Sequence, residues 1–472
     1  MKIFQNVSYI VLHIRLYFII SVSLMYTSCN KFTEIDAPKN SISRTKVFSS
    51  EANASEAVAG LYVQLIRTPA NFNIFNGQST LMGGLLSDEL TYTSLVAGND
   101  VDGLNQNNIS TTSSLVGSQW QYGYQIIYLA NIIMENIAVS NNLSEDFKRQ
   151  VRGELLVIRA FSYWLLTNYF GDVPLVLTTD YMVNNTLPRS PKSAVYDQMV
   201  KDLIEAKGLL STAYPSEGRQ RPNLYAAQAL LARTYLYKGS WKAAAVEAAD
   251  VIAEPAYHLE TDLDRVFLDN SQEAIWQLGS SNNLKYNPES GLFLVFDPSG
   301  EPGGYYLRDQ SSDPWEKGDL RKEHWVLTKI IQGEHYFIPY KYKNRGLPEE
   351  SNTECYMMFR LAEQYLIHAE ALVHLGQLEE ALLDLNHIRR RAGLNDLPLT
   401  LDETALTSYI AHERAIEYQA EWGMRWFDLN RTGKTLEVLR DIKPTISAMD
   451  LLLPVPQNEI MANHNLTQNE GY

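Results

Sequence analysis

The stretch 406–431 constrains the fold most, because its apolar and its acidic residues both recur at helical spacing. A helix turns by about 100° per residue, so residues three, four and seven positions apart share one face. One narrow arc of this helix holds the apolar residues Tyr409, Ile416, Ala420, Met424 and Phe427. The stripe predicts one internal helix from Leu406 to Arg431, against which the earlier helices pack.

Three acidic residues follow the same stripe at four-residue steps: Glu413 lies inside the arc, and Glu417 and Glu421 lie along its edge. Like charges at this spacing repel, and a carboxylate on a buried face is costly unless a cation pairs with it. The row therefore requires positive charge from elsewhere in the chain. The run 389–391, three arginines at the end of the preceding helix, is the best candidate.

The stretch also contains a second pattern, which consists of Glu413-Arg414-Ala415, Glu417, Trp422-Gly423, Arg425-Trp426, Asp428-Leu429 and Arg431. This pattern resembles the ERA…E…EG.RW.DL.R motif of the SusD/RagB family of outer-membrane nutrient-binding lipoproteins. The C-terminus is similar to the tail of that family over Leu453–Gln457, Glu459-Ile460, Asn463, Asn465-Leu466, Gln468-Asn469 and Gly471-Tyr472. His464 and Glu470 stand where family tails usually have proline. The segment 168–175 resembles the family as well.

The N-terminus has the pattern of a bacterial lipoprotein signal. Lys2 and Arg15 precede an apolar run from Leu16 to Met25, which is too short to span a bilayer. Thr27-Ser28 then meets Cys29, so we expect a signal peptide over 1–28 and lipid attachment at Cys29. Only one other cysteine is present, and the net charge of −15 argues against a nucleic-acid partner.

The rest of the chain is mainly helical by its spacing, with predicted helices at 48–66, 119–138, 144–168 and 193–210. Two later segments, 221–253 and 359–391, are related to each other. In each, alanines stand seven residues before and five residues after a glycine, at Gly239 and at Gly376. This is a degenerate tetratricopeptide pattern, although a generic helical hairpin has the same features. Tyr336 to Tyr342 alternates enough to predict a short strand.

We therefore expect one SusD-like domain over 29–472, a tetratricopeptide-like helical scaffold with a few short strands. Its N-terminal part covers about 29–278 and carries a loop insert at 87–117. A loop-rich insert follows at 279–345, and a C-terminal helical part covers 346–472. Both inserts combine turn-forming residues with polar or aromatic side chains, and long loops of this kind are often functional.

The two inserts are the predicted ligand site. A flat aromatic ring covers the C–H face of a sugar, and amides, carboxylates and guanidinium groups bind its edge hydroxyls. The predicted ligand-binding residues are Tyr92, Asn99, Asp100, Tyr286, Tyr305, Tyr306, Arg308 and Trp315. Phe293 and Phe296 are expected to be core residues, because aliphatic residues flank them.

The sequence offers no catalytic constellation. His412-Glu413 begins like a zinc-protease helix, but the second histidine would fall at Ile416. No metal or other cofactor is expected. The resemblance implies a surface lipoprotein that captures oligosaccharides and delivers them to a SusC-like TonB-dependent transporter. Three alternatives remain open: a tetratricopeptide-type scaffold for envelope proteins, capture of another nutrient such as peptide, and, more remotely, a glycoside-cleaving enzyme.

Overall fold

The computed structural model describes residues 13–15, 17, 44–66, 73–279, 287–296, 300, 302–308, 314–345 and 353–472. The lipid-attachment candidate Cys29 and the ligand-site candidate Tyr286 lie outside these residues. In residues 1–47, positions 13–15 and helix α1 (Arg44–Val47) are helical. Residues 48–472 form one compact unit. Among the described residues, no helix combines the length and the apolar character needed to cross a bilayer.

Helices make up most of the described chain, as the spacing predicts. The first half contains α2 (Glu51–Ile66), α3 (Gln78–Leu86), α4 (Asn99–Gln106), α5 (Ser114–Val139), α6 (Glu145–Phe170), α7 (Tyr181–Asn184), α8 (Lys192–Leu209), α9 (Leu224–Tyr237) and α10 (Trp241–Ile252). The second half contains α11 (Pro288–Phe293), α12 (Leu320–Trp325), α13 (Leu361–His374), α14 (Leu378–Arg391), α15 (Glu403–Glu417), α16 (Met424–Arg431), α17 (Thr435–Leu439) and α18 (Gln457–Ala462).

Consecutive helices pack side by side in one continuous row. Helix α2 packs on α5, α5 on α6, α6 on α8, α8 on α9, and α9 on α10. The row then crosses the loop-rich insert, because α10 packs on α13, which pairs with α14. Helix α6 is the most deeply buried member, since nearly all of its residues from Val151 to Phe170 are inaccessible to solvent. Gly171 ends this helix with a positive φ of 74°, as its sequence predicts.

The two related segments form helical hairpins, which confirms the predicted helix–turn–helix pattern. Helices α9 and α10 are joined at Gly239, whose φ is 70°, and helices α13 and α14 at Gly376, whose φ is 76°. Both turns require the left-handed conformation that glycine adopts without strain. Alanines let α10 and α13 approach closely, and the two hairpins share a core of Ala232, Leu236, Ala244, Ala245, Ala248, Ile367 and Ala371. That these hairpins are tetratricopeptide repeats remains a prediction.

The described strands form two small antiparallel sheets. They are β1 (Leu90–Tyr92), β2 (Ala274–Gly279), β3 (Tyr305–Leu307), β4 (Val326–Ile331), β5 (Glu334–Pro339) and β6 (Cys355–Arg360). One sheet has the order β1-β3-β5-β4, and the other pairs β2 with β6. Strand β5 confirms the strand predicted around Tyr336. The β1–β3 pairing joins the two predicted loop inserts, which lie about 200 residues apart in the chain.

The prediction of a single helix from Leu406 to Arg431 is wrong. The chain forms α15 and α16, which are separated by a tight turn over 418–423. Ala420, Trp422 and Gly423 have φ values of 50°, 54° and 73°. A Cβ on Gly423 would lie 2.7 Å from the Ser79 carbonyl oxygen, so α3 crosses the turn too closely for any side chain. The apolar stripe persists across the break because both helices face the same core.

The acidic row is buried and neutralised, as its position predicts. Glu413, Glu417 and Glu421 are 1%, 0% and 6% exposed. Arg391 pairs with Glu417, and Arg389 lies 3.5 Å from Glu413. The third arginine of the run departs from the prediction, because Arg390 is exposed and pairs with Asp396.

Three further cations come from distant parts of the chain. Arg321 contacts Glu413 at 2.5 Å and Glu417 at 2.9 Å, Arg360 contacts Glu417 at 2.5 Å, and Lys341 contacts Glu421 at 2.5 Å. Because these cations come from α12, β6 and the segment after β5, the row ties the loop-rich insert to the C-terminal helices.

The interpretation of 87–117 as a loop is only partly correct. The segment contains β1, the eight-residue helix α4 and the start of α5. Val101 and Leu104, three residues apart on one face, are buried and hold α4 against the body. The second insert likewise contains α11 and β3. Phe293 is buried, as predicted, whereas Phe296 is only partly buried, with the Lys329 ammonium 3.6 Å from its ring centre.

Candidate functional site

The β1–β3 pair brings the aromatic residues of the two predicted inserts together. Tyr92 lies directly opposite Tyr305, and Thr91 lies opposite Tyr306. Directly opposed residues of antiparallel strands point to the same face, with Cβ atoms about 5 Å apart. Tyr92 and Tyr305 therefore lie opposite each other on one face of the sheet, and both are partly exposed. Partial burial and a 2.6 Å hydrogen bond that the Tyr92 hydroxyl donates to Asp102 raise the pKa of Tyr92 to about 12.

Tyr306 and Arg308 point to the opposite face of the same sheet, because side chains alternate along a strand. The Tyr306 ring packs edge-on against Tyr336 of β5, with ring centres 5.2 Å apart. The Arg308 guanidinium donates to Asn105 Oδ1 at 2.6 Å, while its Nε has no hydrogen-bond partner among the described residues. Burial lowers the pKa of Arg308. The structure therefore divides the predicted aromatic cluster between the two faces of the sheet. Tyr92 and Tyr305 lie on one face, and Tyr306 packs with Tyr336 on the other.

Asn99 and Asp100 lie in the first turn of α4 and not on an open loop. Asn99 is exposed. The Asp100 carboxylate accepts hydrogen bonds from the Ser114 backbone N–H at 3.0 Å and the Ser114 hydroxyl at 2.6 Å. Asp100 thus satisfies backbone donors at the start of α5, which is a structural role. Its neighbour Asp102, which contacts Tyr92, lies closer to the aromatic pair.

Trp315 lies in the segment between β3 and α12. It is partly buried, and the Lys322 ammonium of α12 lies 5.6 Å from its ring centre. The preceding residue, Pro314, lines a cleft of about 280 Å³ between α15 and the start of β1. This cleft was not predicted from the sequence. In the sequence, the adjacent acidic residues Asp88 and Glu89, directly before β1, could have indicated a polar wall at this position.

The acidic row cannot act as a pair of hydrolytic carboxylates. A glycoside hydrolase needs one carboxylic acid and one carboxylate on either side of a substrate bond. Glu413 and Glu417 are fully buried, and three arginines hold the pKa of Glu417 well below its usual range, even though burial alone would raise it. Cys355 is equally unsuited to nucleophilic chemistry, because burial raises its pKa to about 12.

Comparison with known proteins decides the family. A family of starch-binding proteins that associate with the outer membrane matches residues 40–236, and the SusD family matches residues 302–448. This chain belongs to the SusD/RagB family. The second match includes the α15–α16 motif from which the resemblance was first drawn.

Relatives of known sequence and structure agree with this assignment. SusD-like protein P25 of Formosa agariphila is 26% identical, and the alignment covers 96% of this chain and 99% of the relative. A SusD superfamily protein of Bacteroides vulgatus superposes with a TM-score of 0.79 at 24% identity, over 90% of this chain and all of that one. A laminarin-binding SusD-like protein superposes with a TM-score of 0.75 at 24% identity, over 90% of this chain and all of that one. The fold is therefore that of the SusD superfamily.

Proposed function

We propose that this chain is a cell-surface lipoprotein that binds oligosaccharides and delivers them to a SusC-like TonB-dependent transporter. The observation that carries the binding role is the adjacency of Tyr92 and Tyr305 on one face of the β1–β3 pair. Aromatic side chains on one face of a sheet can cover the C–H faces of sugar residues with little loss of conformational entropy. Family membership and a laminarin-binding structural relative support a glycan ligand.

Polar groups near both tyrosine pairs suit the hydroxyls of a glycan. Asp102 holds the Tyr92 hydroxyl, and the exposed amide of Asn99 lies on the same helix. On the opposite face, close to Tyr306, the buried Nε of Arg308 has no hydrogen-bond partner within the described part of the chain. Neutral hydroxyls accept and donate hydrogen bonds at such mixed sites, whereas a strongly charged ligand would need an unopposed charge. In this proposal the ligand is a neutral or weakly charged oligosaccharide.

A glycan array followed by calorimetry tests the binding role. The mature protein from residue 30 onward, without the lipid, is screened against neutral oligosaccharides, charged oligosaccharides and a library of short peptides. Saturable binding of an oligosaccharide is the expected result. Binding of peptides alone would replace the glycan with a peptide nutrient, and binding of envelope proteins without any small ligand would favour the scaffold alternative.

The location and the transporter partner are separate parts of the proposal. Lipid attachment at Cys29 is checked by mass spectrometry of the mature N-terminus, with Cys29→Ala as the variant that should leave the membrane fraction. A stable complex with the transporter is checked by affinity capture from gently solubilised outer membranes. A barrel-sized protein should be recovered in nearly equal amount, and recovery of the lipoprotein alone counts against the complex.

A further inference from the structure

A cleft lies beside the tyrosine-bearing sheet, between α15 and the residues that precede β1. Its volume of about 280 Å³ is at the lower end of the range for small-molecule sites. One wall consists of the side chains of α15 that face it, Ala411, His412, Ala415 and Ile416, and Gln419 follows in the turn. Pro314, Arg425 and the acidic dipeptide Asp88-Glu89 form the rest of the lining.

Three polar side chains in this cleft have groups without a hydrogen-bond partner among the described residues. Glu89 is only 5% exposed, and its Oε2 has no partner, while its Oε1 accepts a long bond of 3.4 Å from the Ala420 backbone N–H. The Gln419 amide and the His412 imidazole likewise form no hydrogen bond to another described side chain or backbone group. A buried polar atom without a partner costs free energy, so a ligand that bonds to the Glu89 oxygen is stabilised there. Gln419 and His412 are partly exposed and can exchange water for the same ligand.

The charges around the cleft are already balanced. The Arg425 guanidinium holds the Asp88 carboxylate through two hydrogen bonds of 2.9 and 2.8 Å. Burial and the neighbouring Asp88 raise the pKa of Glu89 to about 8, so its carboxyl group is protonated at neutral pH. Among the described lining residues, the one arginine is therefore paired, and no uncompensated cation faces the cleft to attract a phosphate or sulfate. Its free groups are those of an acid, an amide and an imidazole, which can each donate or accept a hydrogen bond.

The lining also combines apolar and polar groups, which suits a sugar ring with C–H groups on its faces and hydroxyls at its edge. The Ala411, Ala415 and Ile416 side chains with the Pro314 ring form an apolar surface suited to C–H groups. The three unpartnered polar groups can meet ring hydroxyls. The volume admits one ring but not a chain of rings.

The position of the cleft connects it to the tyrosine-bearing sheet. The Arg308 backbone N–H donates to the Glu89 carbonyl oxygen at 2.7 Å, so Glu89 continues the β1–β3 ladder. Alternation along the strands places Glu89, Thr91, Tyr306 and Arg308 on one face. Tyr306 lies two residues before Arg308, the residue that pairs with Glu89. It is therefore roughly 7 Å from Glu89 along the strand direction.

We propose that this cleft is a subsite for a single neutral sugar residue at the end of a glycan chain, with Glu89, His412 and Gln419 as its polar ligands. The inference rests on the proposed glycan-binding function and deepens it. In this proposal the protein binds the terminal sugar residue of a glycan in addition to stacking against the faces of sugar rings. Residues beyond the terminal one then lie toward Tyr306.

The test uses free monosaccharides, which can fill the cleft without the rest of a chain. Saturation-transfer NMR is run with D-glucose, D-galactose, D-mannose and D-xylose on the unlipidated mature protein. At least one sugar should give a saturable signal that disappears in Ala415→Phe, because the larger ring occupies the cleft. Gln419→Ala should weaken the same sugar by about 2- to 13-fold, the effect of one hydrogen bond. Glu89→Leu should weaken the same sugar by a similar factor, because leucine has a similar size but can neither donate nor accept a hydrogen bond.

Two controls separate this subsite from the tyrosine pairs and from general destabilisation. Ala249→Phe places the same ring at a partly buried alanine of α10, away from the cleft, and should leave the signal unchanged. The double variant Tyr305→Ala/Tyr306→Ala should keep monosaccharide binding while losing oligosaccharide affinity. Melting temperatures confirm that each variant is folded.

Three results overturn the subsite. They are the absence of any monosaccharide signal, a signal that survives Ala415→Phe, and a signal that both Gln419→Ala and Glu89→Leu leave unchanged. Oligosaccharide binding that persists in these cases leaves the proposed function intact. If the parent protein binds no oligosaccharide at all, the proposed function itself fails.

Discussion

Replacing Glu417 by glutamine tests whether the acidic row is a structural element. Glu417 is fully buried and contacts three guanidinium groups, those of Arg321, Arg360 and Arg391. The glutamine keeps the volume but removes the negative charge, so the surrounding arginines keep one uncompensated positive charge. Breaking a buried ion pair in this way costs about 3–5 kcal/mol.

The expected change in melting temperature follows from the size of the protein. Unfolding entropy is about 2.1 cal/mol/K per residue, or roughly 0.9 kcal/mol/K for the compact unit of about 425 residues. A loss of 3–5 kcal/mol therefore lowers the midpoint by about 3–6 °C, which differential scanning calorimetry resolves. The matched control is Glu437→Gln, because Glu437 and its partner Lys434 are both exposed. Its loss should stay below about 1 kcal/mol, or about 1 °C.

The pH dependence of the same variant supplies a second check. Because the folded state holds the pKa of Glu417 well below 4.5, its contribution is complete above pH 4.5 and is lost as the pH falls below that value. The stability difference between the parent and Glu417→Gln should therefore shrink in acid. An unchanged midpoint at neutral pH together with lost glycan binding would refute the reasoning, because it would make the row a binding site.

Three further predictions concern other parts of the molecule. The free energy of unfolding of the parent should fall relative to that of Glu89→Gln as the pH rises from about 4.5 to about 8, because folded Glu89 keeps a proton that the unfolded state releases. The difference, followed by thermal melts, should reach on the order of 2–5 kcal/mol and then stay constant. Gly423→Ala should destabilise the protein by about 1–3 kcal/mol, because φ is 73° and the new Cβ meets the Ser79 carbonyl. Gly117→Ala, in open space inside α5, should instead stabilise it by about 0.5–1 kcal/mol, and denaturant titrations compare the two variants. Cys355 should resist thiol-specific reagents in the native state and react on unfolding, and rapid labelling of native protein would contradict its burial.

Local spacing was sufficient to predict most of the long helices and both hairpins. The glycine turns at Gly239 and Gly376, and the glycine that ends α6, are local signals that need no tertiary information. The break after Glu417 was missed because the apolar positions keep their helical spacing across it. Only Gly423 marks it, and the positive φ values of Ala420 and Trp422 are imposed by packing rather than by residue type.

The parts of the ion network and of the candidate site that were not predicted depend on contacts between residues far apart in the chain. Charge balance required cations beside the acidic row, but nothing local indicated that Arg321, Arg360 and Lys341 would supply them. Tyr92 and Tyr305 were both named as ligand candidates, yet their register across β1 and β3 emerges only from the folded sheet. The opposite orientation of Tyr306 follows from the same register.

The most direct test of the central claim is calorimetry of glycan binding to the tyrosine variants. An oligosaccharide identified by the array is titrated into the parent, into Tyr305→Ala/Tyr306→Ala and into Trp315→Ala. Removing a stacking ring costs about 1–3 kcal/mol by analogy with base stacking, which is a loss of roughly 5- to 150-fold in affinity. The account predicts at least that loss for the double variant, with an unchanged melting temperature. Parent-like affinity in both variants would contradict it and place the glycan site elsewhere.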